Sequence, residues 1–296
     1  MSDIALSSAT RLNILSLQRT QTSVDATQTR LSTGLKVNSA IDDAVAFFTA
    51  RNLNSRASDL SVIKDTISSG VGVVTTAVQG LEAIEELLQQ MQALAQSAIS
   101  ATDADTRAKL ASQFNELRSQ VDNIAEDASF DGINLLKNGT GAFVGGADEL
   151  TVTFNEQTEA AALNQVVVEG LAAAVYQDIV GTAAVATGVL GNTTVWGQTG
   201  TAAVTAINAA ITALDSALTT LRTSAQQFGN NASLLQVRMD FTQNMINSLS
   251  AGAAVLVNAD LNEESANLLS LQTRQQLGTI SLAIAQRSEQ SIFRLF

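Results

Sequence analysis

VTAINAAITALDSALTTLRTSAQQFGNNASLLQVRMDFTQNMINSL, residues 204–249, decides the architecture. Within it Val204, Ile207, Ile211, Leu214, Leu218, Leu221, Ala225, Phe228, Ala232, Leu235, Met239, Thr242, Ile246 and Leu249 fall in alternating steps of three and four. Only Thr242 is polar. A stripe that recurs every 3.5 positions keeps one helix face against a partner, which is the coiled-coil pattern. At 1.5 Å per residue this stretch makes a rod of about 70 Å, longer than one globular core needs.

Two partners for the rod lie upstream. Val74, Ala77, Leu81, Ile84, Leu88, Met91, Ala95 and Ala98 step by the same rule, and so do Leu110, Phe114, Leu117, Val121, Ile124 and Ala128. Between them Ser100 to Thr106 is rich in helix N-capping residues, so the two stretches predict an antiparallel helical hairpin joined later by the 204–249 helix. The absence of Pro suits helices this long. The fold class is mainly α: a long antiparallel coiled-coil helical bundle with a β-hairpin and a small variable insert.

After Ala128 the periodicity changes. Phe130 to Leu136 is rich in turn residues, and Leu150-Thr151-Val152-Thr153-Phe154 alternates as a strand does. Gly145-Gly146 is placed to turn a hairpin back onto Phe143-Val144. Residues 155–203 have weak periodicity and read as an insert. The ends are helical but softer. Leu17, Val24 and Leu31 lie seven apart, while Ile14 and Leu35 share a second row with Gln21 and Gln28. Leu268, Leu271, Leu277, Ile280 and Ile284 form a stripe interrupted by Gln275 and Gly278. Such helices bury little apolar surface and should need partners.

Composition narrows the chemistry. The chain has 296 residues, 46% of them hydrophobic, so it can bury a core, yet only 15% are charged, against roughly 25% in an average soluble protein. It holds no Cys, His or Pro. The usual zinc sites, Ser-His-Asp triads and thiol chemistry are therefore excluded. The net charge of −12 argues against a nucleic-acid partner. Residues 138–221 carry seven acidic residues and no basic one, whereas both ends are near neutral. Neutral ends suit dense packing between chains, and an acidic middle suits solvent. Neither a standard secretory signal nor an apolar run near the ~20 residues of a membrane span is visible.

The acidic clusters Asp42-Asp43, Glu82/Glu85/Glu86, Asp103/Asp105 and Glu126-Asp127 read as solvated helix surface. A calcium loop counted from Asp103 would need Gly where Ala108 stands. Gly70-Val71-Gly72 lacks the strand and third Gly of a dinucleotide loop and reads as a flexible spot in a helix. Met91 and Met239 read as core filler. No metal, cofactor or catalytic group is expected. A structural subunit that polymerises through its ends then competes with a coiled-coil adhesin that binds through its middle. Apolar residues persist to both extremes, with Ile4 and Leu6 at one end and Ile292, Phe293, Leu295 and Phe296 at the other. That favours an interface at the ends.

Arg30-Leu31-Ser32-Thr33-Gly34-Leu35-Lys36-Val37-Asn38-Ser39-Ala40-Ile41-Asp42-Asp43-Ala44 resembles the N-terminal signature of bacterial flagellin, and Phe130-Asp131-Gly132-Ile133-Asn134-Leu135-Leu136 resembles a second flagellin motif. Ala259-Asp260, Glu264, Ala266 and Leu268 to Gln276 resemble its C-terminal motif. Arg30, Gly34, Asn38, Asp42, Asp43, Phe130 and Gly132 carry the likeness. It covers about 1–140 and 204–296.

The resemblance implies a flagellar filament subunit that serves swimming motility. Residues 1–43 with 251–296 would form a terminal coiled coil lining an inner tube. Residues 44–154 with 204–250 would form an outer-tube helical bundle, and 155–203 a variable surface insert. Leu17, Val24, Leu31, Leu268, Leu271, Leu277, Ile280 and Ile284 would serve self-assembly. The implied partners are the chain itself as a helical homopolymer, the flagellar export apparatus and its export chaperone, and the hook-associated and cap proteins. Nucleic acid and membrane insertion are not among them. The implied location is extracellular, reached without a cleaved signal peptide. Ser288-Glu289 stands where the family's last turn often has Pro, and the hook–filament junction protein shares the terminal plan as the alternative. In flagellins that trigger the animal innate receptor, an Arg stands beside the residue matching Gln89. Here Gln90 takes its place on a face that also holds Leu94.

Overall fold

The computed structural model describes residues 8–137, 148–156, 164–171, 191–198 and 200–293. In chain order the elements are α1 (Ser8–Thr33), α2 (Ala44–Ser100), α3 (Ala104–Asp127), β1 (Leu150–Thr153), β2 (Gln165–Val168), α4 (Thr193–Trp196), α5 (Thr201–Val257) and α6 (Leu261–Phe293). Two compact units divide the chain: Met1–Ser58 with Ile246–Phe296, and Asp59–Met245. The division runs through α2 and α5 themselves.

The second unit holds the main core. Val74, Ala77, Leu81, Ile84, Leu88, Met91, Ala95 and Ala98 of α2 are all buried, as the heptad required. On α3 the innermost row is Arg107, Ala111, Phe114, Val121 and Ala125, with Leu110, Leu117 and Ile124 half-buried beside it. On α5 the row from Ile207 to Leu235 faces inward, but Val204 is exposed and Ala203 is buried in its stead. The α2–α3 connection is short because Asp103 caps α3, accepting from the Thr106 backbone N–H and hydroxyl, both at 2.9 Å. Those hydrogen bonds hold the Asp103 carboxyl below its ordinary pKa. α2 and α5 each contain an 18-residue window apolar enough by composition to cross a membrane. Less than half of either window is buried within the structure.

The sheet contains a strand that the sequence reading did not anticipate. β1 pairs antiparallel with β2, from Leu150 opposite Val168 to Thr153 opposite Gln165. The expected partner Phe143-Val144 and its Gly145-Gly146 turn lie outside the described residues. Val152, Val168 and Leu171 are buried, so part of the stretch read as insert joins the core. So does its exit. Trp196 of α4 packs on Phe114 with ring centroids 5.3 Å apart, and Asn115 Nδ2 donates to the Gly191 carbonyl at 2.6 Å. Arg238 of α5 lies 5.1 Å above the Phe154 ring.

Gly70 and Gly72 are sites of close approach on α2, not a flexible spot. A Cβ at Gly70 would stand 2.8 Å from Val152 Cγ2, and one at Gly72 would stand 2.9 Å from the Phe130 ring. Glycine there lets β1 and the loop after α3 lie directly on the helix.

Candidate self-assembly site

In the first unit α1 and α6 pack against each other along seven layers. On α1 the inward positions are Thr10, Asn13, Leu17, Thr20, Val24, Thr27 and Leu31; on α6 they are Glu264, Leu268, Leu271, Gln275, Gly278, Leu282 and Ala285. Both sets step alternately by three and four. Leu17, Val24, Leu31, Leu268 and Leu271 therefore lie on the seam between the two helices. The second row of α1 is Asn13, Thr20 and Thr27; of the row expected there, Gln21 and Gln28 are exposed, while Ile14 and Leu35 are half-buried. Gln275 and Gly278 do not interrupt the seam of α6 but belong to it. Gln275 Nε2 donates to Gln21 Oε1 at 2.6 Å, and Leu17 sits over Gly278 where a Cβ would be 2.6 Å from its Cδ2. Turning those residues inward turns Leu277, Ile280 and Ile284 outward, at 61%, 56% and 62% exposure. Leu269 joins them at 67%. α6 thus carries two faces, one against α1 and one uncovered.

The signature residues build the turn beside this pair. Gly34, with φ of 72°, ends α1 in the left-handed conformation. Its carbonyl accepts from Ala259 N–H at 2.9 Å, and Lys36 N–H donates to the Val257 carbonyl at 2.8 Å. A bridge between Leu35 and Asn258 joins the same strands of chain. One oxygen of Asp42 accepts from the backbone N–H of Asn38 at 3.1 Å, from that of Ser39 at 3.0 Å and from the Ser39 hydroxyl at 3.1 Å. The Ser39 and Asn38 N–H groups, in that order, hold the Asp42 carboxyl below its ordinary pKa. Asp43 Oδ1 accepts from Ala46 N–H at 2.9 Å and caps α2. Arg30 Nη1 reaches Glu264 Oε1 at 3.3 Å.

In the second unit Asp131 and Gly132 both have positive φ, which folds Phe130 back to bridge Ile133 and lays its ring on Gly72. Asn134 of that motif and Lys137 directly after it were not legible as important. Asn134 Nδ2 donates to the carbonyls of Ala125 and Glu126 at the end of α3, while its Oδ1 accepts from Leu136 and Lys137 N–H. Lys137 is buried, with Nζ 2.9 Å from Asp122 and 3.3 Å from Glu126. Burial opposes its charge, but the Asp122 bond and charge, followed by those of Glu126, raise its pKa overall. The sole sequence signal was a Lys seven residues after Phe130, with acids in the last turns of the helix before it. Gln89 and Gln90 lie exposed on α2, where Gln89 donates to Glu85 at 3.3 Å, and Leu94 is half-buried.

An open cleft of about 510 Å³ lies beside the signature turn, lined by Leu35, Val37, Phe47, Ala50, Arg51 and Val257 among others. Arg51 is its one charged residue, so it offers no acid–base pair. Among the described residues no group of three acidic or metal-ligating side chains is arranged to hold a metal ion.

Long heptad helices and a terminal helix pair with one apolar face uncovered have the build of a self-associating subunit. The comparisons give its family. The bacterial flagellin N-terminal helical region matches residues 3–140, and the bacterial flagellin C-terminal helical region matches residues 211–296. Flagellin FljM of Caulobacter vibrioides is 30% identical over 303 residues, covering 100% of this chain and 99% of the relative. The flagellin of Brucella melitensis is 28% identical over 299 residues, again covering 100% and 99%. A crystal structure of Bacillus cereus flagellin aligns with 60% of this chain and 88% of its own at TM-score 0.45 and 17% identity. The chain belongs to the bacterial flagellin family. It is a subunit of the extracellular flagellar filament, a structural protein; the junction-protein alternative is not favoured.

Proposed function

We propose that α1 and α6, with residues 1–43 and 251–296, line the inner wall of the filament. Residues 44–154 with 204–250 make its outer wall, and residues 155–203 form the surface insert, anchored to that wall by Val168, Leu171 and Trp196. The observation that carries this reading is the uncovered face of α6, where Leu269, Leu277, Ile280 and Ile284 are more than half exposed. Exposed apolar rows of this length in a filament subunit are surfaces for neighbouring copies. The export apparatus, an export chaperone and the hook-associated and cap proteins follow from family membership, as does export without a cleaved signal. The absence of Cys and Pro suits passage unfolded through a narrow channel, since nothing can crosslink and no prolyl bond must isomerise afterwards. Seeding purified chain with filament fragments and imaging by negative stain tests the reading. Long filaments are expected; short rings or caps would favour a junction protein instead.

A further inference from the structure

The terminal helix pair has a seam whose apolar residues do not choose its alignment. Asn13, Thr20 and Thr27 on α1, with Gln275 and Gly278 on α6, occupy places where coiled coils ordinarily carry aliphatic knobs. Sliding α6 by a heptad toward the start of α1 takes Thr27 and Leu31 out of the seam but again sets a leucine, Leu17, opposite Leu271, so apolar matching alone separates the two registers weakly. One seam residue is charged. Glu264 is 9% exposed, and Arg30 approaches it at 3.3 Å. Arg30 with Glu264, Gln21 with Gln275 and Leu17 with Gly278 all belong to one antiparallel register, which sets Val24 opposite Leu271.

A slip of α6 by one heptad toward the start of α1 would set Glu264 against Val24, with Ser23 where Arg30 now stands. Arg19 would be more than a helical turn away. A buried carboxylate left without its cation is strongly disfavoured. The same slip takes Leu17 off Gly278 and leaves the glycine facing Thr10. The opposite slip carries Glu264 past Thr33, the end of α1, and breaks the Leu35–Asn258 bridge. A heptad slip moves α6 by about 10 Å, so either direction also strains this bridge and the Gly34–Ala259 and Lys36–Val257 bonds beside it, backbone contacts that act together with the side-chain pairing.

We propose that Arg30 and Glu264 are the register key of the terminal helix pair: positioning residues whose pairing, more than apolar burial, selects one antiparallel alignment. The proposal rests on the reading that α1 and α6 stay paired in the filament. The chain has no Cys, so engineered pairs report alignment cleanly. Val24→Cys with Leu271→Cys reports the observed register, and Leu17→Cys with Leu271→Cys reports the slipped one. Filaments of each full-length variant are oxidised and dissociated, and intramolecular product is separated from dimer on a non-reducing gel.

In the native background the observed register should exceed the slipped one by about tenfold or more, the ratio of a ~1.4 kcal/mol preference. In Arg30→Leu/Glu264→Leu the helices should still pair, with the preference reduced to about threefold or less. The reversal Arg30→Glu/Glu264→Arg should restore it, and it decides the matter where Arg30→Glu alone fails to assemble. A preference unchanged in the double leucine variant, or unrestored by the reversal, overturns the register key. No Val24–Leu271 product in native filaments would instead overturn the pairing on which the proposal rests.

Discussion

Asp42 shows how a signature residue acts through backbone. Its carboxylate holds two N–H groups and a hydroxyl, and the folded pKa therefore lies below the model-peptide value of 3.8. A lowered folded pKa contributes stability that is complete above the unfolded value and is lost as pH falls through the folded one. Asp103 at the cap of α3 behaves in the same sense. Melting temperature should therefore fall on acidification below about pH 4, and Asp42→Asn should flatten part of that fall while lowering the plateau; an unaltered acid limb would contradict the assignment. Leu218 is buried in the α5 seam, whereas Glu82 is exposed on α2. Truncating a buried leucine costs ~2–5 kcal/mol and a buried carboxylate adds to it, so Leu218→Asp should lower the monomer's melting temperature severely. Glu82→Ala should cost under about 0.5 kcal/mol. The reverse ranking would mean the helix faces are misassigned.

Gln90 is exposed and clear of the seam, so Gln90→Arg can be made without disturbing the core. The family resemblance implies an anchoring arginine at this position in flagellins that trigger the animal innate receptor; glutamine lacks its cationic fork, and losing such an anchor typically costs about 2 kcal/mol or more. Weak signalling by the native chain in reporter cells, partly recovered by Gln90→Arg, is the expected result. Strong signalling by the native chain would remove the basis for it.

At the scale of elements, the α2 seam was legible residue for residue because a heptad of Val, Leu, Ile and Ala has no competing period. The terminal pair was legible only in part. Counting apolar residues finds Leu17, Val24, Leu31, Leu268 and Leu271, but it passes over Thr27, Gln275 and Gly278, which sit inward because small or hydrogen-bonding side chains let the helices approach. For the same reason it placed Leu277, Ile280 and Ile284 on one stripe with Leu268, although they face away. β2 escaped notice because four residues inside an Ala- and Thr-rich stretch give too short an alternation to read. The polar seam also sets the element's stability. Helices whose mutual face is half polar are marginal by themselves. Trypsin should cut the monomer first at Arg11, Arg19, Arg30, Arg274 and Arg287, and assembly should protect those sites. Equal protection in monomer and filament would show that the terminal helices are stable without neighbours.

For the molecule as a whole, the uncovered face of α6 separates folding from assembly. Leu277 and Ile284 touch water in the isolated chain, so replacing them removes little that holds the subunit together. Surface substitutions of this kind usually change stability by no more than about 0.5 kcal/mol. In a filament the same side chains would be desolvated against a neighbour, where each fully buried Leu or Ile contributes roughly 1.5–3 kcal/mol and a buried aspartate is unfavourable. Because a subunit in a helical polymer repeats every contact with each copy added, a small loss per interface shifts the critical concentration steeply. Leu277→Asp/Ile284→Asp should therefore leave the melt of the second unit, the core around Leu81, Leu88 and Leu221, within about a degree or two of the native chain. Seeded elongation, followed by light scattering, should fail at concentrations where the native chain elongates. A control pair on the outer face of α2, Glu82→Ala/Glu86→Ala, should elongate normally. If the aspartate variant elongates like the native chain, the outer face of α6 is not a subunit contact, and the terminal helices must meet their neighbours through the seam itself.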